Sequence, residues 1–399
     1  MGWCTTSDHD RFAAAAGGYL RSRAAENTML LSAATAVRSG RQAQVVGQPW
    51  GPRPADGAAD TEVLYGWWEP PDGSGPRGAF LHDPAAPLLV AGRTPEMAAA
   101  LAGTLARMGR HVGGVDAPVE AADAFAAAWS QRSRVSVRVH RQCRVYRLTA
   151  AEAAAGGAAA GPGPVGVAQV AVDPAAAGPA DGSGGWSPPQ SPGSAGRLRL
   201  ITAADRGLLI DLLVAYGIES GERISSPPEV ADDLISYGGA VLWEIPQRTS
   251  RIKEAAHYLV SPRDRDRDAG AAQQQAEAAL QPVAMAAVAR PVAGTARISV
   301  VYTLPDRRRS GHAAAVTLEV SRAVLAGTVP ACASEAASEV VLIATGTRSD
   351  RRAARLGYQL VGERAELRFG PVTGALPRLQ TTTRPMPRLP TGPLPRLRR

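Results

Sequence analysis

The chain has 399 residues, 45% hydrophobic and only 5% aromatic, enough for two or three domains with proper cores. Its formal charge is +8, but six arginines (378, 384, 388, 396, 398 and 399) lie beyond residue 371 with no acid among them, and the body carries only +2. The basic balance is thus a property of the tail and gives no reason to expect a nucleic-acid-binding face, while three widely spaced cysteines (Cys4, Cys143, Cys332) exclude a disulfide framework and a zinc knuckle.

Met1–Asp10 lacks the basic region and apolar core of a signal peptide, and no apolar run reaches the roughly 18 residues of a membrane span. The cytoplasm is the expected compartment. Asp10–Leu20 and Asn27–Val37 read as helices, with Asn27 as an N-cap and Gly40 as a stop. Leu64–Trp68 and Ala79–Leu81 bracket Pro70-Pro-Asp-Gly-Ser-Gly75, a hairpin pattern, and Leu88–Val90 is a third strand. Thr94-Pro-Glu96 opens a helix to about Arg110, with proline at its first position. A helix over Val119–Trp129 leads to a strand over Val135–Tyr146. His140 and Cys143 lie in that strand, and an offset of three residues sends their side chains to opposite faces, so no shared metal is expected. These elements define an N-terminal domain over residues 8–148.

Residues 150–195 are rich in Ala, Gly and Pro and read as a flexible linker, with Val165–Val172 open as an extra strand. A second domain over 197–370 follows. It begins with a strand at Arg197–Ile201, helices at Asp205–Tyr216 and Pro228–Ser236, and a strand at Ala240–Ile245. A charged insert, 246–281, centres on Arg263-Asp-Arg-Asp-Arg-Asp268 and reads as a solvated loop before strands at Val283–Val288 and Ala296–Thr303. Val300, Val301, Tyr302 and Thr303 are β-formers that Pro305 terminates, and Val316, Val320 and Val324 mark an amphipathic helix beyond. Between strand and helix lies Arg308-Arg-Ser-Gly-His-Ala313. Such a turn aims free backbone N–H groups and the positive helix end at one point, a ready site for phosphate or diphosphate. A strand at Val340–Ala344 follows. The tail, 371–399, repeats Leu-Pro-Arg-Leu at 376–379 and 394–397 and should be extended and unstructured. No aromatic residue interleaves it, so nucleic-acid contact is expected only weakly, through its arginines.

Arg308–Ala313 resembles the (Q/R)-x-x-G-x-(G/A) loop of the GNAT superfamily of N-acetyltransferases. Arg355-Leu-Gly-Tyr358 resembles the R-x-G-F/Y turn that closes that family's core, and Leu360-Val361 and Glu366–Phe369 fit its last strands. The resemblance covers residues 197–370. It implies an α/β (α+β) fold, a mixed, mostly antiparallel sheet flanked by helices, with acetyl-CoA as co-substrate. The diphosphate of the cofactor would sit on Arg308, Arg309, Ser310, Gly311, His312 and Ala313, and its pantetheine arm along Val301, Tyr302 and Thr303. The N-terminal domain repeats much of the same order, but Leu89–Glu96 stands where the loop should be and lacks R-x-x-G-x-A. It reads as a degenerate copy with a structural or substrate-shaping role.

The family often carries N-x-x-Y after its fifth strand, the tyrosine protonating the departing thiolate. Here Asp350 and Ala353 stand at those positions, and the strand 296–303 holds no glutamate to act as base. Glu244, Tyr302 and His312 are conceivable stand-ins, each with a plainer reading: Glu244 facing solvent, Tyr302 packing, His312 capping a helix. No catalytic residue is assigned. Nucleotide and covalent chemistries fare worse. There is no G-x-x-x-x-G-K-[ST], Lys253 is the only lysine, and Gly217-Ile-Glu-Ser-Gly221 misses the G-x-S-x-G elbow. Two functions stay open: N-acyl transfer from acetyl-CoA to an amine of a small molecule or protein, and non-catalytic acyl-CoA binding or interaction. The acceptor and the oligomeric state are not legible.

Overall fold

The computed structural model describes residues 2–40, 62–156, 196–221, 224, 226–246, 280–345 and 347–371. The expected strand at Val165–Val172, nearly all of the charged insert and the tail beyond Pro371 lie outside them.

The first half opens with an element the sequence did not announce. Gly2–Thr6 (β1) pairs antiparallel with Leu64–Glu69 (β2), so this half begins at residue 2 rather than 8. Trp3 anchors it, its indole N–H donating to the Met97 carbonyl (3.0 Å) and its ring edge-on to Trp68 and Phe80. His9–Ser22 (α1) starts at Asp8, whose carboxylate accepts from the amides of Asp10 and Arg11. Ala24–Arg38 (α2) follows after Arg23 alone, so Asn27 is no cap. It lies buried inside α2, its amide donating to the Leu20 carbonyl (3.2 Å). Then come Gly78–His82 (β3), Leu88–Ala91 (β4), Pro95–Arg107 (α3), Gly114–Pro118 (β5), Val119–Ser133 (α4) and Val135–Thr149 (β6). Ala150–Gly156 (α5) makes the first residues of the expected linker helical.

The second half contains Arg197–Leu200 (β7), Arg206–Ser220 (α6), Pro227–Ser236 (α7), Ala240–Pro246 (β8), Leu280–Val288 (β9) and Thr295–Thr303 (β10). His312–Leu325 (α8), Glu339–Ala344 (β11), Thr347–Arg355 (α9) and Gln359–Pro371 (β12) complete it. The two closing strands expected after Tyr358 are one strand, β12, bent by register shifts after Leu360 and after Glu366. Up to α5, the halves share the order β-α-α-β-β-β-α-β-α-β.

The twelve described strands join one sheet in the order β1-β2-β3-β4-β5-β12-β6-β11-β10-β9-β8-β7. Only β4–β5 and β10–β11 are parallel. The last strands are exchanged: β12 of the second half pairs with β5 of the first, and β6 of the first pairs with β11 of the second. The central pair, β6 with β12, runs antiparallel from Gln359↔Arg147 to Pro371↔Val135. The two halves are therefore joined in one sheet, with β6 and β12 each crossing to pair with the other half.

Helices cover both faces. In the first half α3 and α4 bury Leu101, Leu105, Phe125 and Trp129 with Phe80 and Leu367, while α1 and α2 bury Phe12, Leu20 and Leu30 against Tyr65 and Leu81. In the second, α8 buries Val316, Val320 and Val324 against Ile298, Val340 and Tyr358. On the other face α6 and α7 bury Leu209, Leu213 and Leu234 against Leu242 and Tyr302. The stretch His312–Cys332 is apolar and long enough to pass for a membrane span by composition, but Val316, Val320, Ala323 and Val324 within it are buried in this core.

Glu244 does not face solvent. It is 5% exposed on β8, opposite Arg197 in register, and accepts from Arg197 Nε (3.1 Å) and Arg199 Nε (2.7 Å). Arg199 also forks onto Asp205 (2.8 and 2.9 Å), which forms a reciprocal capping box with Thr202 just before α6. The Arg199 guanidinium holds the Asp205 carboxyl at about 2, below its ordinary 3.8. A depressed carboxyl stabilises the fold above its unfolded pKa and loses that contribution as pH falls through the folded one. Asp205→Asn is expected to cost about 2 kcal/mol at neutral pH and to flatten stability between about pH 4 and 2, read from urea midpoints across that range.

Candidate functional site

The site begins where two parallel strands part. Pairing of β10 with β11 runs from Thr295↔Glu339 to Ile298↔Leu342 and stops, although β10 continues to Thr303. A register shift between Ile298 and Val300 bends β10 at this point, while its other edge stays paired with β9 to Thr303↔Ala284. Leu304 N–H donates to the Val283 carbonyl (3.0 Å). By the two-residue alternation of an antiparallel ladder, the backbone groups of Val301 and Thr303 then point away from β9, into the gap.

Beyond Thr303 a single 3₁₀ turn, Pro305–Arg307, delivers the basic loop. Arg309 has φ +65° and Gly311 φ +84°. Such values suit glycine and strain arginine. Ala315 N–H is bonded to the Gly311 carbonyl (3.0 Å), so the amides of His312, Ala313 and Ala314 have no acceptor one turn back in α8. A Cβ added at Gly311 would meet nothing within 4 Å. The N-terminal end of α8 is open.

Val301, Tyr302, Thr303, Arg308, Arg309, Gly311, His312 and Ala313 line one cavity of about 640 Å³. Ser310 sits in the same loop but not among the lining residues. Sequence reasoning missed Tyr216, Glu219 and Ser220 from the end of α6, and Arg352 from α9. Nothing local marks them, because they reach the cavity through tertiary packing.

Arg308 does not stand ready for a ligand. Its Nη2 donates to Glu219, which also accepts from the Tyr302 hydroxyl (2.8 Å), and its Nε donates to the Thr303 carbonyl (3.1 Å). The Arg308 guanidinium and the Tyr302 hydroxyl hold the Glu219 carboxyl below the usual range, while burial and then Glu219 push the Tyr302 phenol up. Arg307 pairs with Asp306 (3.1 Å), whereas Arg309 and Arg352 have no carboxylate partner among the described residues. Burial, then Arg307, lowers the His312 imidazole below its ordinary value. The Thr303 hydroxyl is buried with no partner among the described residues.

Ala353 on α9 is 1% exposed, packed in the core, and has no ionisable group. Asp350, one turn earlier on α9, accepts from Arg144 and from the Tyr146 hydroxyl, both on the exchanged strand β6. Burial and then Asp350 push the Tyr146 phenol up to about 12. The first half thus grips the helix that presents Arg352.

The corresponding place in the first half is filled with protein. Pairing of β4 with β5 stops at Leu89↔Asp116. There Arg364 of β12 is buried, donating to the Asp116 carboxylate (2.7 Å) and to the carbonyls of Asp116 (2.9 Å) and Val90 (3.3 Å). Only residues 92–94 join β4 to α3, against 304–311 in the second half, and Pro95 at the helix start has no amide to offer. Arg93 ties back to Glu26 (2.9 Å) and the Val361 carbonyl (3.1 Å). In the first half, then, protein side chains occupy the place that is open in the second. Among the described residues no group of three or more His, Cys, Asp or Glu side chains is placed to hold a metal.

A repeated ten-element order, one splayed parallel pair left open and its counterpart plugged describe a tandem GNAT-like fold. Among solved structures the chain is similar to a GCN5-related N-acetyltransferase from Sphaerobacter thermophilus, at 12% identity and TM-score 0.42 over 92% of this chain and 95% of that one. It is also similar to a tandem GNAT protein from the clavulanic acid biosynthesis pathway (14% identity, TM-score 0.39, 92% and 98% covered). A GCN5-related N-acetyltransferase from Kribbella flavida gives 16% identity and TM-score 0.39 over 73% and 86%. No family model matches the chain, and no curated protein does.

Proposed function

We propose that the protein is an N-acyltransferase that moves an acetyl group from acetyl-CoA to an amine of a small molecule or protein in the cytoplasm. The observation that carries this reading is the gap between β10 and β11 opening directly onto the unsatisfied amides at the start of α8. Those amides, with Arg309 and a displaced Arg308, would hold a diphosphate. The inward-facing backbone of Val301 and Thr303, and the unpartnered Thr303 hydroxyl, suit the amide-bearing pantetheine arm. Bound acetyl-CoA supplies a thioester, whose thiolate, with a pKa near 8.5, can depart without a dedicated acid. No side chain is assigned as general acid or base.

Ala353 in place of a tyrosine favours a second reading, in which the site binds acyl-CoA without turnover. The test is to incubate the full chain with acetyl-CoA and a panel of primary amines and to follow thiol release. Amine-dependent release supports transfer. Saturable binding without release moves the conclusion to the second reading, and absence of binding ends both.

A further inference from the structure

We infer that Glu219 is a resident counter-ion of the anion cradle, occupying Arg308 until a phosphate displaces it and so setting how tightly the cavity holds its ligand. The inference rests on the acyl-CoA reading for the identity of that ligand.

A site shaped only to bind an anion would not contain a carboxylate, yet this one does. Glu219 sits in the last turn of α6, which ends at Gly221 with φ +70°. The negative end of that helix, with the Glu219 carboxylate, and the positive end of α8 therefore line the same cavity. Arg308 is held three ways: by Glu219, by the Thr303 carbonyl (3.1 Å) and by the Tyr302 ring, whose centroid lies 5.6 Å from its guanidinium carbon. The Thr303 carbonyl is one of the backbone groups aimed into the gap, so the bound Arg308 also covers the edge along which a ligand arm would pair. A phosphate that reached α8 would compete with Glu219 for the same guanidinium and would meet a like charge in doing so. Arg309 and Arg352, without such partners, are the cations that can make first contact.

A plain structural staple between α6 and β10 would use the same atoms, and the two roles differ in sign. Removing a staple weakens binding, whereas removing a competing counter-ion strengthens it. The Glu219 side chain is 39% exposed, so the near-isosteric Glu219→Gln should leave the fold intact.

The experiment is calorimetric titration of the full chain, Glu219→Gln, Arg308→Gln and the double variant, each with acetyl-CoA and with inorganic pyrophosphate. Glu219→Gln is expected to bind both probes about tenfold tighter and Arg308→Gln to bind them about tenfold weaker. The double variant should match Arg308→Gln within about twofold, because Glu219 acts through that arginine. Unchanged or weaker binding by Glu219→Gln overturns the inference, as does a gain that survives in the double variant. If pyrophosphate binds, and tighter to Glu219→Gln, while acetyl-CoA does not, the counter-ion stands and the acyl-CoA reading falls. If neither probe binds any variant, both fall.

Discussion

Replacing Gly311 with glutamate is expected to raise the Kd for acetyl-CoA at least about a hundredfold, roughly 2.7 kcal/mol, while the protein stays folded. Gly311 is the N-cap of α8 at φ +84°, with nothing within 4 Å of where its Cβ would be. The backbone strain of a side chain there costs about 1 kcal/mol. The new carboxylate would settle on the free amides of His312 to Ala314 and act as an internal anion, which offsets part of that strain and blocks the cradle. Three or four charge-assisted hydrogen bonds of roughly 1.5–3 kcal/mol, less the cost of association, correspond to a micromolar site at about −8 kcal/mol, so their loss is readily measured. Gly311→Ala adds the strain without the charge and separates the two effects. Calorimetry beside a thermal melt decides the matter. Unimpaired binding by Gly311→Glu would remove the loop from the site.

Arg364→Leu is expected to be the most damaging single change in the fold, costing roughly 3–5 kcal/mol. Arg364 and Asp116 are 5% and 6% exposed, and they lie 2.7 Å apart. Leucine would leave the Asp116 carboxylate buried without its counter-charge and would take donors from the Asp116 and Val90 carbonyls. Because β12 joins the first half to the second, the loss should appear in one cooperative transition. The double variant Arg364→Leu/Asp116→Leu removes the orphaned charge and should recover much of the stability. Urea midpoints for the three proteins test this, and a single variant within about 1 kcal/mol of wild type would show that the pair is solvated after all.

The basic loop, the strand before it and the helix after it were legible because their signals are local. β-formers end at Pro305, a glycine falls where φ is positive, and valines recur at helical spacing. Other elements were hidden for equally physical reasons. β5 reads Gly-Val-Asp-Ala-Pro, a turn-like string, and it is a strand only because β4 and β12 claim its two edges and Arg364 answers Asp116 from 248 residues away. β1 is five residues of mixed character held by Trp3. Glu244 looked like a strand-end surface group, but the alternation Arg197-Leu-Arg199-Leu placed two guanidiniums on its face. The exchange of β6 and β12 left no local mark, since an alternating strand does not say which edge it will join. For the same reason Glu219 and Arg352 could not be foreseen at the cavity.

That exchange bears on how the chain is made. As the ribosome releases the first half, β5 has no neighbour on one edge, and β6 waits for partners that have yet to be translated. The edge of β5 is closed only by residues 359–371, near the end of synthesis. A chain interrupted before β12 consequently has two sheet pieces, β1 to β5 and β6 with β11, β10, β9, β8 and β7, whose facing edges are bare, the kind of species that aggregates unless chaperones shelter it. Each half lends the other a strand, so the half with the filled gap and the half with the open one complete each other's sheet.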